Sequence, residues 1–166
     1  MSISNEFWFA QPEAGCDCTP AWVTGNRTST ITVTTNHTVT GGTTSNLVDG
    51  GFGYNTTDSM DFANNGTWNG GDYLRFQWAD KQRCTAVRMK TFGNVANGAW
   101  IVQGSDDASS WTNLHSFTWT QPAYDAVTFS FTNETGFTYY QLYKNGTGGS
   151  LTYRWYQEVE FLICEC

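Results

Sequence analysis

Along nearly every extended stretch of this chain, apolar and polar side chains alternate one by one, and that pattern excludes most folds open to 166 residues. A period of two sends successive side chains to opposite faces of a strand, so it specifies sheets with one buried and one wet face. The segments 31–35, 73–78, 85–90, 99–103, 127–131, 137–143 and 155–163 carry the pattern and are rich in β-branched and aromatic residues. In 73–78, Leu74, Phe76 and Trp78 share one side, while Tyr73, Arg75 and Gln77 share the other. Val159, Phe161 and Ile163 line up in the same way. Helical periodicity is nearly absent: no long window repeats apolar residues at three- and four-residue intervals with good helix formers between them.

Short turn clusters separate these segments, among them Gly41-Gly42, Asp49-Gly50-Gly51, Asn64-Asn65-Gly66, Asn69-Gly70-Gly71, Asn97-Gly98 and the Gly-rich stretch from Asn145. Such residues tolerate the positive φ of tight connections between antiparallel strands. The expected fold is all-β, an antiparallel β-sandwich of the jelly-roll kind. Residues 1–24 read as an irregular amino-terminal arm, with Pro12 and Pro20 bracketing Cys16-Asp17-Cys18, and residues 25–166 as a single sandwich domain. No linker, charge block or repeat marks a second domain.

Fifteen acidic against eight basic side chains give a net charge of −7, which opposes binding to nucleic-acid phosphates or anionic lipid. No run of eighteen apolar residues exists, so no membrane insertion is expected. The amino terminus lacks the basic-then-apolar layout of a secretory signal. A virion surface or an extracellular setting reached without a leader of its own is the expected location.

Candidates for catalysis are thin. His37 and His115 lie in no nucleophile or metalloprotease motif. Asp58 with Asp61, and Asp106 with Asp107, offer carboxylates for glycoside hydrolysis, but neighbouring loop acids are more simply turn formers. The expectation is a protein without enzymatic activity. Loop aromatics are more promising, because a ring in turn-rich sequence buries less easily than one on a strand. Tyr54, Trp68, Trp119 and Tyr124, with Arg154 beside the Gly-rich loop, are the candidate ligand-binding residues. Packing under a loop is the competing role for each. Trp111 is expected in the core, its indole plugging one end of the sandwich.

Four short segments, in order, carry a resemblance: Leu47-Val48-Asp49-Gly50; Val102-Gln103-Gly104-Ser105-Asp106-Asp107, running to Trp111-Thr112-Asn113-Leu114; Tyr139-Tyr140-Gln141-Leu142; and Glu158-Val159-Glu160-Phe161. Over about residues 30 to 163 the chain resembles the discoidin family, or coagulation-factor type C domains, within the galactose-binding-like β-sandwiches that include many carbohydrate-binding modules. Thr138 and Gln141 stand where the family's third element usually has arginine. The resemblance implies glycan binding from loops at one end of the sandwich. It also implies a structural Ca²⁺ held by Asp49, Thr56 or Thr57, and Glu158, oxygen ligands suited to a hard ion; a metal-free Asp-Gly turn is the alternative.

Members of that family often tie their ends with a disulfide, and here Cys16, Cys18, Cys164 and Cys166 form like pairs near the two termini. Two disulfides, within or between chains, or a four-thiolate Zn²⁺ cluster are the options. Cys84 reads as a lone buried thiol. The resulting expectation is a non-catalytic glycan-binding sandwich, displayed on a phage virion as a head decoration or tail component for attachment to surface polysaccharide. Its partners would be cell-surface or environmental glycans, further copies of itself, or other virion proteins. The alternative is a purely structural virion or filament protein whose sandwich serves as a subunit contact.

Overall fold

The computed structural model describes residues 19–51, 59–62, 67–91, 95–121, 125–149 and 155–164. These form strands β1 (Ala21–Val23), β2 (Ile31–Thr35), β3 (Val39–Gly41), β4 (Met60–Phe62), β5 (Tyr73–Thr91), β6 (Val95–Ser105), β7 (Thr112–Gln121), β8 (Ala126–Ser130), β9 (Phe137–Lys144) and β10 (Trp155–Cys164). A short 3-10 helix, Thr44–Val48, lies between β3 and β4.

All pairings are antiparallel, and they sort into two layers. One sheet runs β2-β5-β9-β6-β7. The other places β10 between the second half of β5 and the short strands β4 and β1, with β3 beyond β4 and β8 on the far side of β5. β5 belongs to both: its first half pairs with β2 and β9, its second half with β10 and β8. The sequence suggests two strands here, 73–78 and 85–90. The intervening Ala79-Asp80-Lys81-Gln82-Arg83 has no Gly, Pro or Asn to reverse the chain, so the backbone stays extended and bends from one layer into the other.

The inner faces supply the core. From one sheet come Ile31, Val33, Leu74, Phe76, Trp78, Trp100, Val102, Phe117, Tyr140 and Leu142; from the other come Cys84, Val87, Met89, Val159, Phe161 and Ile163. Rings meet edge-on across the interior, with Phe76 against Phe161 at 5.0 Å and Trp78 against Phe161 at 4.8 Å between centroids, the arrangement that ring quadrupoles favour. Cys84 is a free, buried thiol, and desolvation pushes its pKa well above the ordinary thiol range.

The amino-terminal boundary differs from expectation. Residues 21–23 are part of the sandwich, because β1 pairs with β10 through Ala21 opposite Ile163 and Val23 opposite Phe161. Alternation places Val23 against the core and Trp22 on the outer face, under the guanidinium of Arg88. Residues 1–18 of the proposed arm lie outside the described residues.

Candidate functional site

At the end of the sandwich where β5 begins and β9 finishes, two of the predicted ligand-binding aromatics are present, and neither touches solvent: Trp68 and Trp119 are both 0% exposed. They belong to one ring cluster. The indole of Trp68 meets Trp100 at 4.8 Å and Phe62 at 4.9 Å, and Trp119 meets Trp100 and Tyr156, each at 5.4 Å. Trp68 Nε1 donates to Tyr156 Oη at 3.0 Å, and Asn97 Nδ2 donates to the same oxygen at 2.9 Å. A sandwich is open at its ends, and large rings close this one, with the indole N–H groups of Trp68 and Trp100 satisfied internally. Trp119 is a β7 residue alternating with Phe117, not a loop residue. Tyr54, Tyr124 and Arg154 lie outside the described residues.

Polar groups rim this end. His37 Nε2 lies 2.8 Å from Asp72 Oδ2, which also accepts the Asn69 N–H. Lys144 is buried, donates to the carbonyl of Ala99 at 3.1 Å, and lies over the Trp100 ring. Burial pushes its ammonium below the ordinary lysine range, against the pull of Asp72.

Asp49 and Glu158, the resemblance's cation ligands, do come to one corner, and a guanidinium is already there. Arg27, itself 3% exposed, forms an ion pair with Glu158 and donates to the carbonyls of Gly25 (3.0 Å), Val23 (2.8 Å) and Val159 (3.2 Å). The other Glu158 oxygen accepts the Gly50 N–H at 2.9 Å. Asp49 accepts from the Gly51 N–H at 2.8 Å and from Asn46 Nδ2 at 3.0 Å. Calcium needs six to eight oxygens turned toward it. Here the carboxylate oxygens face protein donors, and the described residues do not fit a calcium cage. Among them no three His, Cys, Asp or Glu residues converge as metal ligands; Thr56 and Thr57 lie outside them. Of the paired cysteines, Cys164 is buried at the end of β10, and Cys16, Cys18 and Cys166 lie outside the described residues.

A polar constellation lies on the outer face of the β2-β5-β9-β6-β7 sheet, with Arg75 half-buried, Asn113 exposed and Gln141 and Gln103 buried between them, and sequence reasoning missed it as a site. Direct cross-strand pairing sets Thr34, Arg75, Gln141, Gln103 and Asn113 in one row across all five strands. Arg75 donates through Nε and Nη2 to Gln141 Oε1, both at 3.2 Å. Gln141 Nε2 donates to Gln103 Oε1 at 2.6 Å, and Gln103 Nε2 to Asn113 Oδ1 at 2.7 Å. The Arg75 guanidinium lies 4.3 Å from the Tyr73 ring and 4.8 Å from the Trp111 ring. Trp111, expected in the core, is instead half-buried on this face. It follows the 104–110 turn and reaches back over the sheet to meet Arg75. Tyr73 and Tyr143 are cross-strand neighbours, as are Gln77 and Tyr139, and all three tyrosines are half-buried. The signal available beforehand was the wet side of 73–78, together with Gln141 standing where the family pattern has arginine.

No protein-family model and no curated protein sequence matches the chain. Solved structures do. The CBM32 module of AlyQ, in complex with 4,5-unsaturated mannuronic acid, is 20% identical, with 80% of this chain and 95% of that one covered at a TM-score of 0.59. A chitosan-binding module from a Paenibacillus sp. IK-5 chitosanase/glucanase is 19% identical, covering 79% and 92%, also at 0.59. Allantoicase of Saccharomyces cerevisiae is 13% identical at a TM-score of 0.56, covering 78% of this chain but only 38% of the enzyme. The chain therefore has the discoidin-type, galactose-binding-like β-sandwich fold seen in the CBM32 carbohydrate-binding modules.

Proposed function

We propose that this chain is a non-catalytic carbohydrate-binding module. The observation that carries the reading is the outer sheet face, where half-buried rings flank the partly exposed guanidinium of Arg75, with Asn113 exposed beyond the buried amides of Gln141 and Gln103. Sugars are recognised by such a combination of aromatic faces for the apolar side of the ring and a few fixed polar groups for its oxygens. The fold adds support: one similar module is in complex with an unsaturated mannuronic acid and another is chitosan-binding.

A binding role also fits the carboxylates. Asp106 pairs with Lys81 at 2.7 Å and accepts the Thr138 N–H, Asp107 caps its own turn, and Asp61 accepts the Phe62 N–H at 2.9 Å. Each described member of the acid pairs weighed for hydrolysis is engaged in local structure; Asp58 lies outside the described residues. A glycan array together with affinity electrophoresis in polysaccharide gels tests the function. Retention by at least one glycan is expected, and indifference to a broad panel would overturn it.

The finer part of the proposal is display on a virion or another particle, with the terminal cysteines tying chain ends or neighbouring copies. It draws on the β1–β10 pairing: Cys164 follows Ile163, whose partner Ala21 comes three positions after Cys18. Mass measurement with and without reductant is the check. A covalent link lost on reduction, within or between chains, is expected at those cysteines, whereas free thiols at all four would remove the cross-link.

A further inference from the structure

We propose that the outer face of the β2-β5-β9-β6-β7 sheet binds an extended, carboxylate-bearing polysaccharide, at a place distinct from the loop end of the sandwich. This rests on the carbohydrate-binding reading above and assigns its ligand class. The argument begins with Arg75, whose guanidinium can only donate hydrogen bonds. Gln141 must therefore turn its oxygen to Arg75, as it does, which leaves its NH2 facing Gln103. Gln103 must turn its oxygen to that NH2, leaving its own for Asn113 Oδ1. One cation thus fixes the direction of the whole row, and every amide oxygen in it accepts from a neighbour. With Gln141 and Gln103 buried between them, the donors turned to a ligand are Nη1 of Arg75 at one end and the exposed Asn113 Nδ2 at the other.

Charge points the same way. Arg27, Lys81, Arg83 and Arg88 each hold a carboxylate. Arg75 holds none among the described residues; its partners are two rings and one neutral amide. An uncompensated guanidinium whose Nη1 and second Nη2 N–H point away from Gln141 is suited to a carboxylate, which it can grip end-on through two parallel bonds. Three strand spacings separate the ends of the row, about 14 Å, so a chain of sugars fits it better than one. Tyr73, Tyr143 and Tyr139 line the two sides. The protein's net charge of −7 repels a polyanion from afar, but charges beyond about 8 Å are largely screened at physiological salt, leaving contact with Arg75 to decide.

Isothermal titration with oligosaccharides of alginate, polygalacturonate and hyaluronan, each beside its carboxyl-reduced form, tests this. At least one acidic oligosaccharide is expected to bind, with its reduced form weaker by roughly tenfold or more. Arg75→Gln is expected to cause a similar loss. Asn113→Asp keeps an acceptor for Gln103 but places a negative charge at the exposed end, and is expected to weaken acidic binding while leaving the melting temperature in place. Should Arg75→Gln disturb folding, Asn113→Asp decides. Equal affinity for acidic and reduced forms, or binding that survives both substitutions, overturns the sheet-face site while leaving a glycan-binding function intact. Silence of the parent protein toward acidic and neutral glycans alike overturns both.

Discussion

Trp68 shows how context decides what a single residue does. Set between Thr67 and Asn69 in turn-rich sequence, it has the local signature of an exposed loop ring, yet its indole fills the sandwich end and donates to Tyr156. Trp68→Ala should lower the unfolding free energy by about 3–5 kcal/mol, as buried aromatic truncations do; an unchanged urea midpoint would mean that the ring is not structural. Arg27 is a second case. Its guanidinium satisfies carbonyls from the 23–25 segment and β10 while neutralising Glu158. Arg27→Met leaves a buried carboxylate unpaired, a loss of about 3–5 kcal/mol. With the cation built into the chain, chelator should leave the parent's melting temperature unmoved, and a marked drop in EDTA would show that a metal contributes.

Elements are where the sequence was most legible. Alternation alone located the 31–35, 137–143 and 155–163 strands, and would also have assigned Trp119 correctly, since it alternates with Phe117. The 105–110 turn was equally readable, and its chemistry is local. Asp107 Oδ1 accepts the N–H groups of Ser109 and Ser110 at 2.8 and 2.7 Å, while Ser105 Oγ accepts those of Asp107 and Ala108. Those N–H bonds hold the Asp107 carboxyl well below the usual carboxylate range. Its contribution is therefore present above the ordinary aspartate pKa and fades as pH falls through the lowered one. Acid titration of stability should show Asp107→Ala and the parent converging at low pH; parallel curves would refute the cap. Ala108 sits at φ 56°, a left-handed conformation costly for a residue with a Cβ. Ala108→Gly should add about 1 kcal/mol of stability, read from the urea midpoint, and a loss would show that the methyl is packed.

At the scale of the whole molecule, β5 makes the two layers one unit. Because its halves pair into different sheets and Phe161 of one layer packs against Phe76 and Trp78 of the other, neither layer can leave without exposing the other's core. Unfolding followed by far-ultraviolet and near-ultraviolet circular dichroism should give coincident transitions; separated midpoints would show that the layers melt independently.

Sequence by itself determined the fold class, because strand periodicity is a property of neighbours along the chain, and it determined the turns, because Gly, Asn and Asp act within a few residues. Tertiary structure alone decided which rings are exposed. Trp68 and Trp111 exchanged their expected places because burial depends on what other strands bring to the same spot. It also decided that Arg75, Gln141, Gln103 and Asn113 stand in one row, since cross-strand register joins positions far apart in sequence and local propensity carries no record of it.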